Sequence, residues 1–307
     1  MGKKLGKLSA PLDGMEPTLY AYHQGRIRPY EEATLPLDSP CVLDAFVVFG
    51  LMMACWNEAR EQLYIHRLDQ HCRRLWESMK ITGMPLAYTD EDMKEAVLET
   101  LRSNGVKGRD LAVRIIAYQE DREEGSPGTG FTVLTHIRRG PFICDIEPRE
   151  AWTSPIRRIP DYALPPRAKS SANYENGRIG SGDFYLNLSG DVAEFMTSSV
   201  FLVRHGRPIT PTLQADQLES ITRNTFIRIL EEVHGIPVEE RSVDRSELYL
   251  AEEMWGGASG TGIFPVVKVD GRQIGDGHIG RIQGVTFTIW CRGCGGLPTF
   301  PTTAGSL

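Results

Sequence analysis

The segment Leu164-Pro-Pro-Arg-Ala-Lys-Ser-Ser-Ala-Asn-Tyr174 places a lone lysine, Lys169, among small residues behind a proline-stiffened approach. Close packing of small residues strips water from an amine and lowers its pKa. Such an amine is a better nucleophile toward an aldehyde and, once released, a better base. Read alone, a lysine before a small-residue stretch is more often a solvated surface lysine. The loop Gly256-Gly-Ala-Ser-Gly-Thr-Gly262 is rich enough in glycine to approach a ligand closely. It lacks both the lysine of a phosphate-cradling loop and the strand-to-helix context of a dinucleotide fingerprint. Six cysteines include one close pair, Cys291-Arg-Gly-Cys294, and neither His234 nor His278 supplies the second ligand pair that zinc would need. The expectation is no metal, and reduced, inert surface thiols.

Elements must position these residues. Apolar runs at Cys41–Phe49 and Leu63–Ile65 read as strands. Leu68, Cys72, Leu75 and Met79 recur at helical spacing and stop at Gly83 and Pro85. Thr89-Asp-Glu-Asp opens a second helix, with Met93, Val97 and Leu101 as its buried stripe and Asn104-Gly105 as its end. Strands follow at Leu111–Tyr118 and Phe131–Thr135, joined by Gln119–Gly130 as a solvated hairpin loop or a flap. Alternation in the first of these strands puts Ala112, Arg114 and Ile116 on one face, so Arg114 is a buried charge in need of a partner. An antiparallel meander runs through Phe184–Asn187, Val192–Phe195, Val200–Arg204 and Arg207–Ile209. Ile221–Val233 is helical, with Phe226, Ile229, Leu230 and Val233 inward and His234-Gly235 at its end. Val238–Val243, Val266–Val269 and Val285–Trp290 are further strand candidates.

A chain of 307 residues exceeds one ordinary hydrophobic core, which favours two domains, with the boundary near Arg138-Arg-Gly-Pro141. Its 41% hydrophobic and 24% charged residues are those of a globular protein, and a net charge of -6 gives no general attraction to nucleic acid or anionic membrane. With neither a leader-like start nor a long apolar run, the expectation is a cytoplasmic protein.

The Lys-x-x-x-Asn-Tyr motif behind Pro-Pro resembles the class IV, branched-chain-type aminotransferases. Four further stretches resemble that family in the same order, over about residues 40 to 283: Ile65-His-Arg-Leu-Asp-Gln-His-Cys-Arg-Arg-Leu75, Val192-Ala-Glu194, Leu218-Glu-Ser-Ile-Thr-Arg223 and Val269-Asp-Gly-Arg-Gln-Ile-Gly275. The resemblance implies an α/β (α+β), two-domain, fold-type IV enzyme with pyridoxal 5'-phosphate between a small N-terminal domain (1–136) and a larger C-terminal pseudo-barrel (145–307), joined by a linker (137–144). It implies a homodimer acting on small amino and 2-oxo acids, with no nucleic-acid or membrane partner. Lys169 becomes the catalytic residue, which carries the cofactor as a Schiff base and moves the substrate Cα proton. Arg67, Tyr174, Glu194, Leu218, Ile221, Thr222 and Ser259 become its companions around the cofactor. The chemistry is apt. Arginine forks onto phosphate, a helix start at Ile221-Thr222 offers free N–H groups, and Glu194 would keep the pyridine nitrogen protonated. Phe49, Arg114, Ser259 and Gly260 fall to the substrate. The expected reaction transfers the amino group of a branched-chain or other apolar L-amino acid to 2-oxoglutarate. D-amino acid or (R)-amine transamination, aminodeoxychorismate lysis and a non-catalytic relative stay open, because the chain departs from the family pattern. The helix after Tyr174 is shortened by about three turns. Phe195 stands for a usual glycine, Gly262 for a frequent glutamate and Ala112 for a tyrosine. The stretch from Phe49 to Trp56 lacks the usual Phe-Glu-Gly-x-Arg.

Overall fold

The structure, a computed structural model, describes residues 15–122, 126–138 and 147–294. Their contacts form two compact units, 15–138 with 168–173, and 147–167 with 174–292. Lys169 thus groups with the N-terminal unit, although its sequence neighbours on both sides belong to the C-terminal one. The proposed linker lies mostly outside the described residues.

The N-terminal unit is an antiparallel sheet backed by helices. Strands β1 (Met15–Pro17), β2 (Tyr20–His23), β3 (Arg26–Pro29), β4 (Val47–Asn57), β5 (Gln62–Ile65), β6 (Leu111–Arg122) and β7 (Ser126–Arg138) run in the order β3-β2-β7-β6-β4-β5, with β1 also on β7. The helices are α1 (Pro40–Leu43), α2 (Leu68–Ile81) and α3 (Asp90–Asn104). Alternation along the strands sends Val48, Met52, Val113, Ile115, Phe131 and Val133 into one core with the expected stripes of α2 and α3. Thr89 and Asp92 cap α3 reciprocally, and Gly105 ends it at φ 57°.

Two expectations change here. Residues 40–43 are helical, because Pro40 occupies the first helical position, and the strand begins only at Val47. Gln119–Gly130 is largely strand: Gln119 pairs with Thr129 and Glu120 with Gly128. A polar composition suits a hairpin whose ladder satisfies its own backbone, and residues 123–125 lie outside the described ones.

The C-terminal unit contains β8 (Arg149–Ala151), β9 (Thr153–Arg157), α4 (Glu175–Ile179), β10 (Phe184–Leu186), β11 (Val192–Phe195), β12 (Ser199–Arg204), β13 (Arg207–Pro211), α5 (Ile221–Arg228), β14 (Glu239–Arg241), α6 (Arg245–Leu248), β15 (Glu253–Ala258), β16 (Gly262–Val269), β17 (Arg272–Gln273) and α7 (Arg281–Cys294). The expected meander is divided: β11-β10-β9 form one sheet, and β14-β13-β12-β15-β16-β17, with β8 on β16, form another. The α5 helix relaxes into a π turn over Ile229–Val233, of which Val233 is exposed. Val285–Trp290 is helix rather than strand. Ile282, Thr286 and Trp290 are buried one turn apart, and Glu253 accepts hydrogen bonds from the Ile282 and Gln283 N–H groups at 3.1 and 2.8 Å. That carboxylate cap and that face override the strand preference of β-branched residues.

Cys41, Cys55 and Cys72 are free and buried in the core instead of lying on the surface, and burial pushes the Cys72 thiol up to about 12. Among the described residues, no helix is long and apolar enough to cross a membrane, and no group of His, Cys, Asp and Glu could hold a metal ion.

Candidate active site

In the N-terminal unit, Lys169 is pinned by its backbone. The Phe49 N–H donates to the Lys169 carbonyl at 2.9 Å, and Ser170 bridges to Val48. The Lys169 N–H donates to Ser78 Oγ at 3.1 Å, and the buried Ser78 hydroxyl in turn donates to the Arg74 carbonyl. A strand edge on one side and α2 on the other therefore fix the main chain. Lys169 Nζ lies 5.0 Å from the centre of the Phe49 ring, and the Arg114 guanidinium lies 5.8 Å from the same centre. One aromatic ring thus joins three of the predicted residues.

Arg67 ends the turn into α2 with φ 53°, left-handed and unusual for a residue with a side chain, and that side chain makes no capping bond. Burial, then the Arg67 charge, pushes the neighbouring His66 imidazole down to about 4. His71 is lowered well below its ordinary range by burial, and further by the charges of Arg74, His66, Lys169 and Arg67. The imidazoles are neutral, so Arg67, Arg74 and Lys169 supply the positive field, and a dianion is its natural complement.

In the C-terminal unit, Glu194 sits on β11, every residue of which is buried. Its Oε1 accepts from Arg158 Nε at 2.8 Å and its Oε2 from the Leu218 N–H at 3.2 Å. The next residue, Phe195, points to the opposite face and packs edge-on against Phe184 and Phe264 in the core. A Cβ on Gly256 would meet the rings of Phe195 and Phe264. The phenylalanine is therefore a packing residue matched to a glycine, on the face away from the carboxylate.

Ser220 caps α5 by accepting from the Arg223 N–H, which leaves Ile221 and Thr222 in the first turn. Thr222 Oγ1 lies 3.0 Å from Ser259 Oγ, so the helix start and the turn joining β15 to β16 meet through two hydroxyls. Gly260 belongs to that turn, and Gly262 leaves it at φ 69°, where a glutamate would be strained. Tyr174 ends a 3-10 turn over Ser171–Tyr174 and precedes α4, which has only five residues.

Arg158 and Ser78 escaped the sequence reading. A carboxylate on an all-buried strand requires a cation, and Arg158, the residue after β9, was the available signal. Ser78 carried only a faint one, as a hydroxyl next to Met79 in the stripe of α2.

Residues 61–269 match the family described as amino-transferase class IV. The chain belongs to the class IV aminotransferases. The probable branched-chain-amino-acid aminotransferase of Aquifex aeolicus is 32% identical over 275 residues, covering 86% of this chain and 88% of that one. The branched-chain amino acid aminotransferase of Thermobaculum terrenum, solved in its PLP form, is 33% identical, with a TM-score of 0.84 over 92% of this chain and 95% of that one. The enzyme of Thermoproteus uzoniensis, solved with norvaline, is 31% identical, with a TM-score of 0.82 over 92% and 96%.

Proposed function

We propose that this class IV aminotransferase is a pyridoxal-phosphate enzyme that moves the amino group of a branched-chain or other apolar L-amino acid to 2-oxoglutarate. The carrying observation is the lysine whose backbone is fixed on both sides while its amine lies against the Phe49 ring, which the Arg114 guanidinium also approaches. The residues fit the cofactor group by group. Arg67 of the N-terminal unit suits a phosphate dianion, and so, by itself, does the first turn of α5 in the C-terminal unit with the Thr222 and Ser259 hydroxyls. Glu194, paired with Arg158 at 2.8 Å, suits a protonated ring nitrogen. When bound, pyridoxal phosphate supplies an aldehyde and an electron sink for the substrate Cα. Lys169 would hold it through its amine and would move the Cα proton. Leu218 holds Glu194 in place through its N–H, Tyr174 closes the turn behind Lys169, and Ser259 and Gly260 offer a hydroxyl and backbone donors to the substrate carboxylate.

Borohydride reduction of the yellow protein followed by peptide mapping tests the reading. The pyridoxyl group is expected on Lys169, and a label on another lysine overturns it. L-leucine is expected to be turned over faster than D-alanine or (R)-1-phenylethylamine, and the reverse order overturns the substrate class. A cytoplasmic homodimer is part of the same proposal, and the exposed Leu37, Val42, Leu43 and Phe46 offer an apolar surface for the second copy. Sedimentation equilibrium measures that directly.

A further inference from the structure

We infer that His136 and Tyr30, together with Arg114, bind a carboxylate group of the substrate. All three belong to the N-terminal unit. On the sheet face away from the α2 and α3 core, Ala112 of β6 pairs directly with His136 of β7, and Arg114 is the next residue of β6 on that face. Cross-strand partners lie within about 5.5 Å at Cβ, so the imidazole stands directly beside the small side chain of Ala112.

His136 is 5% exposed, yet its Nδ1 has no hydrogen-bond partner among the described residues, and the buried Nε of Arg114 has none either. Buried polar atoms are almost always satisfied, so two open ones from neighbouring side chains mark a place where a partner is expected to arrive. Both are matched to one kind of partner. The Arg114 Nε–H is always a donor. Tyr30 Oη lies 3.1 Å from His136 Nε2, with the rings edge to face at 5.7 Å. When the Tyr30 hydroxyl donates to Nε2, a neutral ring carries its proton on Nδ1, which is then the second donor. Burial and the Arg114 charge keep the imidazole below its ordinary range and hence neutral. Two N–H donors, one of them cationic, fit the two oxygens of a carboxylate. Arg114 also shares the Phe49 ring with the Lys169 amine, which puts the cluster one ring from the proposed catalytic group.

The carboxylate is the one shared by all amino and oxo acids or the second one of glutamate and 2-oxoglutarate, and two unreactive acids distinguish them. Calorimetry on the cofactor-loaded enzyme would compare glutarate, 4-methylvalerate and the neutral 4-methylpentanamide. His136→Leu is expected to weaken glutarate by about ten- to a hundredfold, the cost of a lost charge-assisted bond. A matching loss for 4-methylvalerate assigns the shared carboxylate, and retention of 4-methylvalerate assigns the second one. His136→Asn, which offers an N–H near the Nδ1 position, should bind more tightly than His136→Gln, which offers it near Nε2, and this pair carries the test if the leucine variant does not fold. Wild-type affinity for both acids in His136→Leu, equal losses for acid and amide, or equal behaviour of the asparagine and glutamine variants overturns the inference. The assignment of the carboxylate to a substrate rests on the aminotransferase reading, which the borohydride label on Lys169 decides separately.

Discussion

Glu194 and His136 are both more than nine-tenths buried, yet one cluster is closed and the other open. Glu194 spends both oxygens inside the protein, on Arg158 and on the Leu218 N–H. His136 and Arg114 each keep a buried nitrogen without a partner among the described residues. A closed ion pair fixes a charge state and cannot lose one member cheaply, because the survivor is left charged in a poor solvent. An open pair of donors burdens the empty protein and gains when an anion arrives. The difference separates a carboxylate whose charge is balanced before any ligand binds from a pair of donors that is balanced only when an anion arrives.

The largest expected effect comes from opening the closed cluster. Arg158→Leu strands Glu194 and should cost about 3–5 kcal/mol of stability, read from urea unfolding of the cofactor-free protein. A loss below about 1 kcal/mol would mean that the pair contributes little and that Glu194 is solvated or protonated.

A second closed cluster sharpens the comparison through pH. Burial alone would raise the Asp270 carboxyl, but hydrogen bonds from the Thr153 N–H and hydroxyl, Arg245 and Tyr249 outweigh it and bring the group to about 2 from an ordinary 3.8. The folded value lies below the unfolded one, so this stability is present above about pH 4 and is lost as pH falls toward 2. Asp270→Asn should remove about 2 kcal/mol at neutral pH and flatten the acid limb of the stability curve. An unchanged acid limb would show that other carboxylates control it.

The smallest effect is expected in the open cluster. Arg114→Leu should shift the stability of the empty protein by less than about 1 kcal/mol, in either direction, because it removes an unmet donor. Glutarate should raise the melting temperature of the wild type and not of the variant, since only a ligand that binds the native state stabilises it. A large loss in the empty protein would move Arg114 into the closed class.

The sequence by itself determined what one or two helical turns can decide. The caps at Thr89 and Gly105 and the stripe Leu68, Cys72, Leu75, Met79 act among neighbours in the chain, so α2 and α3 were readable with their ends. The motif around Lys169 and the candidates Glu194, Thr222 and Ser259 were legible by another route, the resemblance of five stretches in order to one family. Partners were not. Glu194 meets Arg158 from 36 residues away, and Glu253 caps α7 from 29 and 30. Only the sheet register set His136 opposite Ala112. The π turn after α5, the extended β6 and β7 ladder and the helical Val285–Trp290 were likewise decided by what packed against them. Local preferences amount to about a kcal/mol per site and lose to the burial of a face or the demand of a buried charge, and both of those depend on residues far away in the chain.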